Sequence, residues 1–92
     1  MTSIIPDYMP YGVEITETAK KELKRFNSEI LQHFSKKVEK IRSNPKVFGK
    51  PLRSEYFGIW EYYFEKRFRI LFKIDESRNI IVIVGIKHKD WF

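Results

Sequence analysis

Residues 59–74 read IWEYYFEKRFRILFKI. Trp60, Tyr62 and Phe64 alternate with Glu61, Tyr63 and Glu65. After Lys66-Arg67, Phe68, Ile70, Phe72 and Ile74 alternate with Arg69, Leu71 and Lys73. A period of two is the mark of a half-buried strand, and the charged pair between the runs marks a turn. Asp75-Glu76-Ser77-Arg78-Asn79 makes a second turn, and Ile80 to Ile86 is apolar on both faces, as a central strand should be. The expectation is a three-stranded antiparallel meander. Trp60, Tyr62, Phe64, Phe68, Ile70, Phe72, Val82 and Val84 should face a covering layer. Tyr63, Arg69 and Lys73 should lie on the other side, with Lys87 and Lys89 at its end.

Upstream, Val13 and Ile15 flank Glu14, giving a short strand that enters the fold. Thr16 is placed to cap a helix, with Glu17 in its first turn. Ala19, Leu23 and Phe26 then recur at helical spacing. Ser28 can cap a second helix whose apolar stripe is Ile30, Phe34, Val38 and Ile41, with Leu31 beside it. Asn44-Pro45 ends that helix, because the residue before proline avoids helical angles. Residues 45–58 read as irregular, with Leu52 as an anchor to the core. Residues 1–11 read as a flexible arm ahead of one domain over 12–92. The fold class is α+β: an N-terminal strand, an antiparallel helical hairpin, then the meander, in one twisted sheet.

Composition narrows the chemistry. Ninety-two residues make one domain, and a hydrophobic fraction of 42% is too high for a disordered tail. The absence of cysteine removes disulfides and thiol catalysis, and suits a cytoplasmic protein. No apolar run reaches the roughly 18 residues of a membrane helix, so no membrane partner is expected. The net charge is +6, and residues 19–53 hold eleven basic against three acidic side chains. Such an excess favours polyanions through counterion release.

Several short patterns recur in a fixed order. Thr18-Ala19-Lys20-Lys21-Glu22-Leu23-Lys24-Arg25-Phe26 forms the first helix, and Ser43-Asn44-Pro45 closes the second. Gly49-Lys50-Pro51-Leu52 follows, then the hairpin from Gly58 through Ile74, then an Ile-rich strand running into His88 and Asp90. This order resembles the RelE/ParE superfamily of bacterial and archaeal toxins over residues 12–92. The resemblance implies a RelE-like fold and the toxin of a type II toxin–antitoxin pair. RelE-like members enter the ribosomal A site and cleave mRNA by 2′-hydroxyl attack on the adjacent phosphate, without a metal or other cofactor. ParE-like members poison DNA gyrase instead. A third possibility is a toxin fold turned interaction protein. The resemblance also implies a cognate antitoxin whose acidic or amphipathic helix covers the basic face.

Metal-free RNA cleavage needs a base for the 2′-hydroxyl, an acid for the leaving oxygen, and cations for the crowded phosphate. Arg69 lies where the family's phosphate-contacting arginine lies, and a guanidinium can hold two oxygens at once. Its structural alternative is a cross-hairpin pair with Glu61 or Glu65. His88 is the natural acid or base. With Phe92 it has the His-x-Asp-x-Phe spacing of the YafQ branch, where that histidine is catalytic. Strict alternation puts His88 opposite Lys87 and Lys89, so a shared site needs a bulge or strand end near Ile86. Glu61 is the candidate base of a Glu/His pair. Arg53, Lys66, Arg67, Lys73, Lys87 and Lys89 are candidates for phosphates, and Tyr63, Trp91 and Phe92 for bases. Glu61 and Tyr63 stand where the RelE archetype has lysines, and Phe92 where it has tyrosine. His33, in mid-helix, is read as a partly exposed surface residue with no role.

Overall fold

A computed structural model describes residues 10–88. Strand β1 (Gly12–Ile15) leads into helices α1 (Glu17–Leu23), α2 (Ser28–Ser43) and α3 (Pro45–Phe48). A two-residue strand β2 (Lys50–Pro51), a 3₁₀ turn (Ser54–Tyr56), and strands β3 (Trp60–Phe64), β4 (Phe68–Asp75) and β5 (Ile80–His88) complete the fold. One five-stranded sheet results, in the order β1-β5-β4-β3-β2. The β3–β4–β5 meander is antiparallel, as the alternation predicted, while β1 joins β5 in parallel, Gly12 opposite Ile80.

Local signals account for the helix ends. The Thr16 hydroxyl accepts a hydrogen bond from the Ala19 amide at 3.2 Å, and α2 stops before Asn44-Pro45. The cap of α2 is Asn27, whose side chain accepts from the Ile30 amide at 2.9 Å, one residue ahead of the expected Ser28. The segment expected to be irregular holds α3, whose first residue is Pro45. Proline is at home there, because its missing N–H needs no partner in the first turn.

The core lies between the helices and one side of the sheet. Ala19, Phe34, Val38 and Ile41 meet Phe64, Ile70, Phe72, Ile81, Ile83 and Ile86. Phe64 and Phe72 are fully buried. Val82 and Val84, expected inward, are only half-buried, and Ile81 and Ile83 take their place. The register explains this. Leu71 faces Gly85 while Phe72 faces Ile83, so Val84 is the extra residue of a β-bulge. A strand apolar on both faces does not announce its phase.

Of the arm expected over residues 1–11, only Pro10 and Tyr11 fall among the described residues, and Tyr11 is tied down. Its amide donates to the Arg42 carbonyl at 2.9 Å, and its hydroxyl donates to Glu76 at 2.7 Å. Lys89, Trp91 and Phe92 lie outside the described residues.

Candidate functional site

The helix-free face of the sheet carries a row of side chains across three strands. Tyr63, Arg69 and Lys87 are direct cross-strand neighbours on β3, β4 and β5. One step along, Glu61 faces Leu71. Period-two geometry therefore sets Glu61, Tyr63, Arg69 and Lys73 on one face. The Arg69 guanidinium carbon lies 5.5 Å from the centre of the Tyr63 ring, a cation–π arrangement. Its Nη1 lies 3.0 Å from Oε1 of Glu61, with the two side chains 19% and 12% exposed. That contact is an ion pair, not an aligned hydrogen bond: Glu61 Oε1 accepts none. The cross-hairpin pairing foreseen as the structural alternative is thus realised.

His88 goes elsewhere. Beyond the bulge, β5 pairs regularly with β4, placing Lys87 beside Arg69 and His88 beside Phe68. Phe68 belongs to the helix side, packed edge-on against Phe26 with ring centres 4.9 Å apart. The His88 ring meets Phe68 edge-on at 5.4 Å and lines a largely apolar hollow of about 390 Å³ with Glu22, Arg25, Phe26, Ile30 and Ile86. His88 and Arg69 therefore point to opposite faces of the sheet. Counted from the inward Ile83, unbroken alternation would turn His88 to the Arg69 face; the extra residue Val84 reverses the phase and sends His88 to the helix side instead.

Lys87 is also spoken for. Its ammonium lies 2.5 Å from Oε2 of Glu22, whose other oxygen accepts from the Ile86 amide at 2.8 Å. Lys66 and Arg67 are exposed in the β3–β4 turn, Lys73 is exposed on β4, and Arg53 is exposed after β2. Tyr63 is 46% exposed. The row on the sheet face is an aromatic ring over a guanidinium, a carboxylate beside it, and solvated cations around. Among the described residues, no three His, Asp or Glu side chains gather as a metal site would need.

His33, set aside from the sequence, is half-buried against the hairpin. Its Nδ1 is hydrogen-bonded to the Glu65 carboxylate, and both residues line a hollow of about 500 Å³ with Lys36, Lys37 and Lys40. The stripe His33, Lys36, Lys37, Lys40 was visible in the sequence. That a turn residue, Glu65, would close on it was not.

A family model described as the ParE toxin of a type II toxin–antitoxin system, parDE, matches residues 13–90. The chain belongs to the RelE/ParE superfamily of type II toxins. Toxin RelG of Mycobacterium tuberculosis is 30% identical over 82 residues, covering 88% of this chain and 93% of RelG. Toxin RelE of the same organism is 30% identical over 86 residues, covering 90% and 86%. The RelBE2 toxin–antitoxin complex from M. tuberculosis contains a chain that superposes with a TM-score of 0.79 at 30% identity, covering 86% of this chain and 91% of that one. A mutant of Escherichia coli RelE in the free state shares the fold, with a TM-score of 0.73 at 15% identity, covering 90% and 87%.

Proposed function

We propose that this toxin is a ribosome-dependent mRNA endonuclease that works on the helix-free face of its sheet. The observation that carries this reading is the Arg69–Glu61 pair beneath Tyr63. In-line attack by a 2′-hydroxyl needs a base beside the sugar and a cation beside the phosphate. Here a carboxylate and a guanidinium already adjoin each other. A phosphodiester that draws Arg69 to its oxygens loosens Glu61, which then accepts the 2′-hydroxyl proton as the 2′-oxygen bonds to phosphorus. The bond from phosphorus to the 5′-oxygen breaks, giving a cyclic phosphate, and the leaving 5′-oxygen takes its proton from water. The half-exposed Tyr63 ring is available to stack on a base. Charge building on the five-coordinate phosphorus falls on Arg69. His88, on the other face, is outside this scheme.

The resemblance to RelE and RelG toxins supports ribosomal mRNA as substrate, and the RelBE2 complex supports a cognate antitoxin as partner. The ParE description of the matching family model favours a second reading, inhibition of DNA gyrase. Two assays separate them. In one, the protein is added to translating ribosomes and mRNA ends are mapped by primer extension. In the other, gyrase supercoiling is followed. We expect mRNA cleavage, lost in Arg69→Ala and Glu61→Gln, with supercoiling unaffected. Intact mRNA together with blocked supercoiling overturns the nuclease reading.

A further inference from the structure

The side of α2 next to the β3–β4 turn presents His33, Lys36, Lys37 and Lys40, at spacings of three, four and seven from the histidine. These spacings put all four on one helical stripe. Lys37 Nζ lies 5.7 Å from the centre of the Tyr62 ring, and Lys40 Nζ 5.9 Å from that of Phe48. Among the described residues, no carboxylate comes within ion-pair distance of Lys36, Lys37 or Lys40. By contrast Lys20, Lys46 and Lys87 each have one. The acid lining this hollow, Glu65, is occupied by His33. Gathering three ammonium groups without counter-ions is unfavourable, and an anion brought among them relieves the repulsion.

A second observation points to the same place. Glu65 and Lys66 occupy the tight turn with φ of +55° and +62°, left-handed backbone that a side chain tolerates poorly. Left-handed backbone is what a tight hairpin turn requires, and here it decides where the side chain of Glu65 goes. At Glu65 this backbone delivers the carboxylate to Nδ1 of His33. That contact fixes the imidazole ring and leaves Nε2 to meet a ligand.

We propose that the hollow lined by His33, Lys36, Lys37, Lys40 and Glu65 is a phosphodiester-binding site for single-stranded RNA, distinct from the Arg69–Glu61 pair. A neighbouring hollow of about 430 Å³, lined by Lys37, Tyr63, Glu65 and Lys66, shares two residues with it and reaches the ring that covers Arg69. Cations alternating with rings along this path match phosphates alternating with bases. An acidic peptide would use the cations and leave the rings idle. The inference rests on the RNA reading above for its class of polyanion. What it adds is the course of the strand, from α2 over the hairpin turn onto the sheet face.

The test is fluorescence anisotropy with a short fluorescein-labelled single-stranded RNA, titrated at several salt concentrations. The proteins are wild type, Arg69→Ala and the triple variant Lys36→Ala/Lys37→Ala/Lys40→Ala. Single strands lose about 0.7 in the slope of log K against log salt per phosphate contact, so the triple variant should flatten the slope by about 2. Its affinity at low salt should fall at least about tenfold. The triple Lys→Arg variant should bind as wild type does, which controls for folding. Wild-type affinity and slope in the triple alanine variant would overturn the proposal, as would absence of RNA binding by the wild type. An oligoglutamate peptide of equal charge that binds more tightly than the RNA, and loses affinity in the same variant, would assign the hollow to an acidic protein instead. Failure of the nuclease reading is registered separately, as uncut mRNA on ribosomes, and leaves this binding intact.

Discussion

The pairing of Arg69 with Glu61 gives the sheet face its chemistry and sets what single substitutions should do. In the proposed reaction, Arg69→Ala removes the cation assigned to the phosphate, and it strands a largely buried carboxylate. Cleavage should fall roughly 10²–10³-fold, the range for losing one charge-stabilising group in the transition state. Glu61→Gln keeps the shape but cannot take a proton, and should lower cleavage by about 10²–10⁴-fold. Single-turnover cleavage on ribosomes measures both. A different residue governs acid behaviour. The Arg78 guanidinium, then the Ser77 hydroxyl and the Arg78 amide, hold the Asp75 carboxyl down at about 2. A carboxyl depressed in the folded state stabilises the fold above its ordinary value, and that contribution disappears as pH falls from about 4 through 2. Wild type should therefore exceed Asp75→Asn in urea resistance at pH 5, and the gap should close towards pH 2. The sequence displayed these residues but not their partners. Arg69 stood out in its strand, yet whether it paired with Glu61 or Glu65 depended on register. His33 was passed over because its partner is distant in sequence and sits in a turn.

Among the elements, the edge of β5 and the start of β2 are the sensitive places. β1 covers β5 only as far as Ile83, and beyond it Glu22 of α1 takes the Ile86 amide, which no neighbouring strand reaches on that edge, and the Lys87 ammonium. A side chain thus stands in for a strand. Glu22→Ala should cost about 1–3 kcal/mol, the range for leaving a buried donor unpaired, read as a shift in urea midpoint. Gly49 is a case of close approach. A Cβ there would lie 2.6 Å from the Phe72 ring and 2.8 Å from the Pro45 carbonyl. Gly49→Ala should lower stability by about 1–3 kcal/mol by overpacking, whereas Lys50→Ala next to it, on the exposed edge, should change little. Some element ends were legible, although α1 stops at Leu23, short of the Phe26 that the helical spacing reached. The Thr16 cap, the Asn44-Pro45 stop and the alternation from Trp60 onward each carry a local signal. The phase of β5 carries none, because isoleucines and valines fill both of its faces and the bulge at Val84 has no marker residue. That hidden bulge is why Ile81 and Ile83, not Val82 and Val84, face the core, while His88 keeps the side opposite Lys87 that alternation gave it.

For the whole molecule, the sheet order matters most. The first strand lies beside the last, so a single core draws side chains from α1, α2, β3, β4 and β5. Nothing in that arrangement divides into halves. Unfolding should be one cooperative transition, with far-UV circular dichroism and tryptophan fluorescence giving the same midpoint in urea. Separate midpoints would contradict a shared core. The alternating pattern foretold the meander, but no local feature could announce a parallel contact between segments so far apart as Gly12 and Ile80. The same arrangement bears on how a cell makes a toxin without being harmed by its fragments. Everything synthesised before residue 80 leaves the ribosome without the strand that both β1 and β4 require. A message broken or abandoned short of that point yields helices and a hairpin with nothing to close upon, and so an inert product.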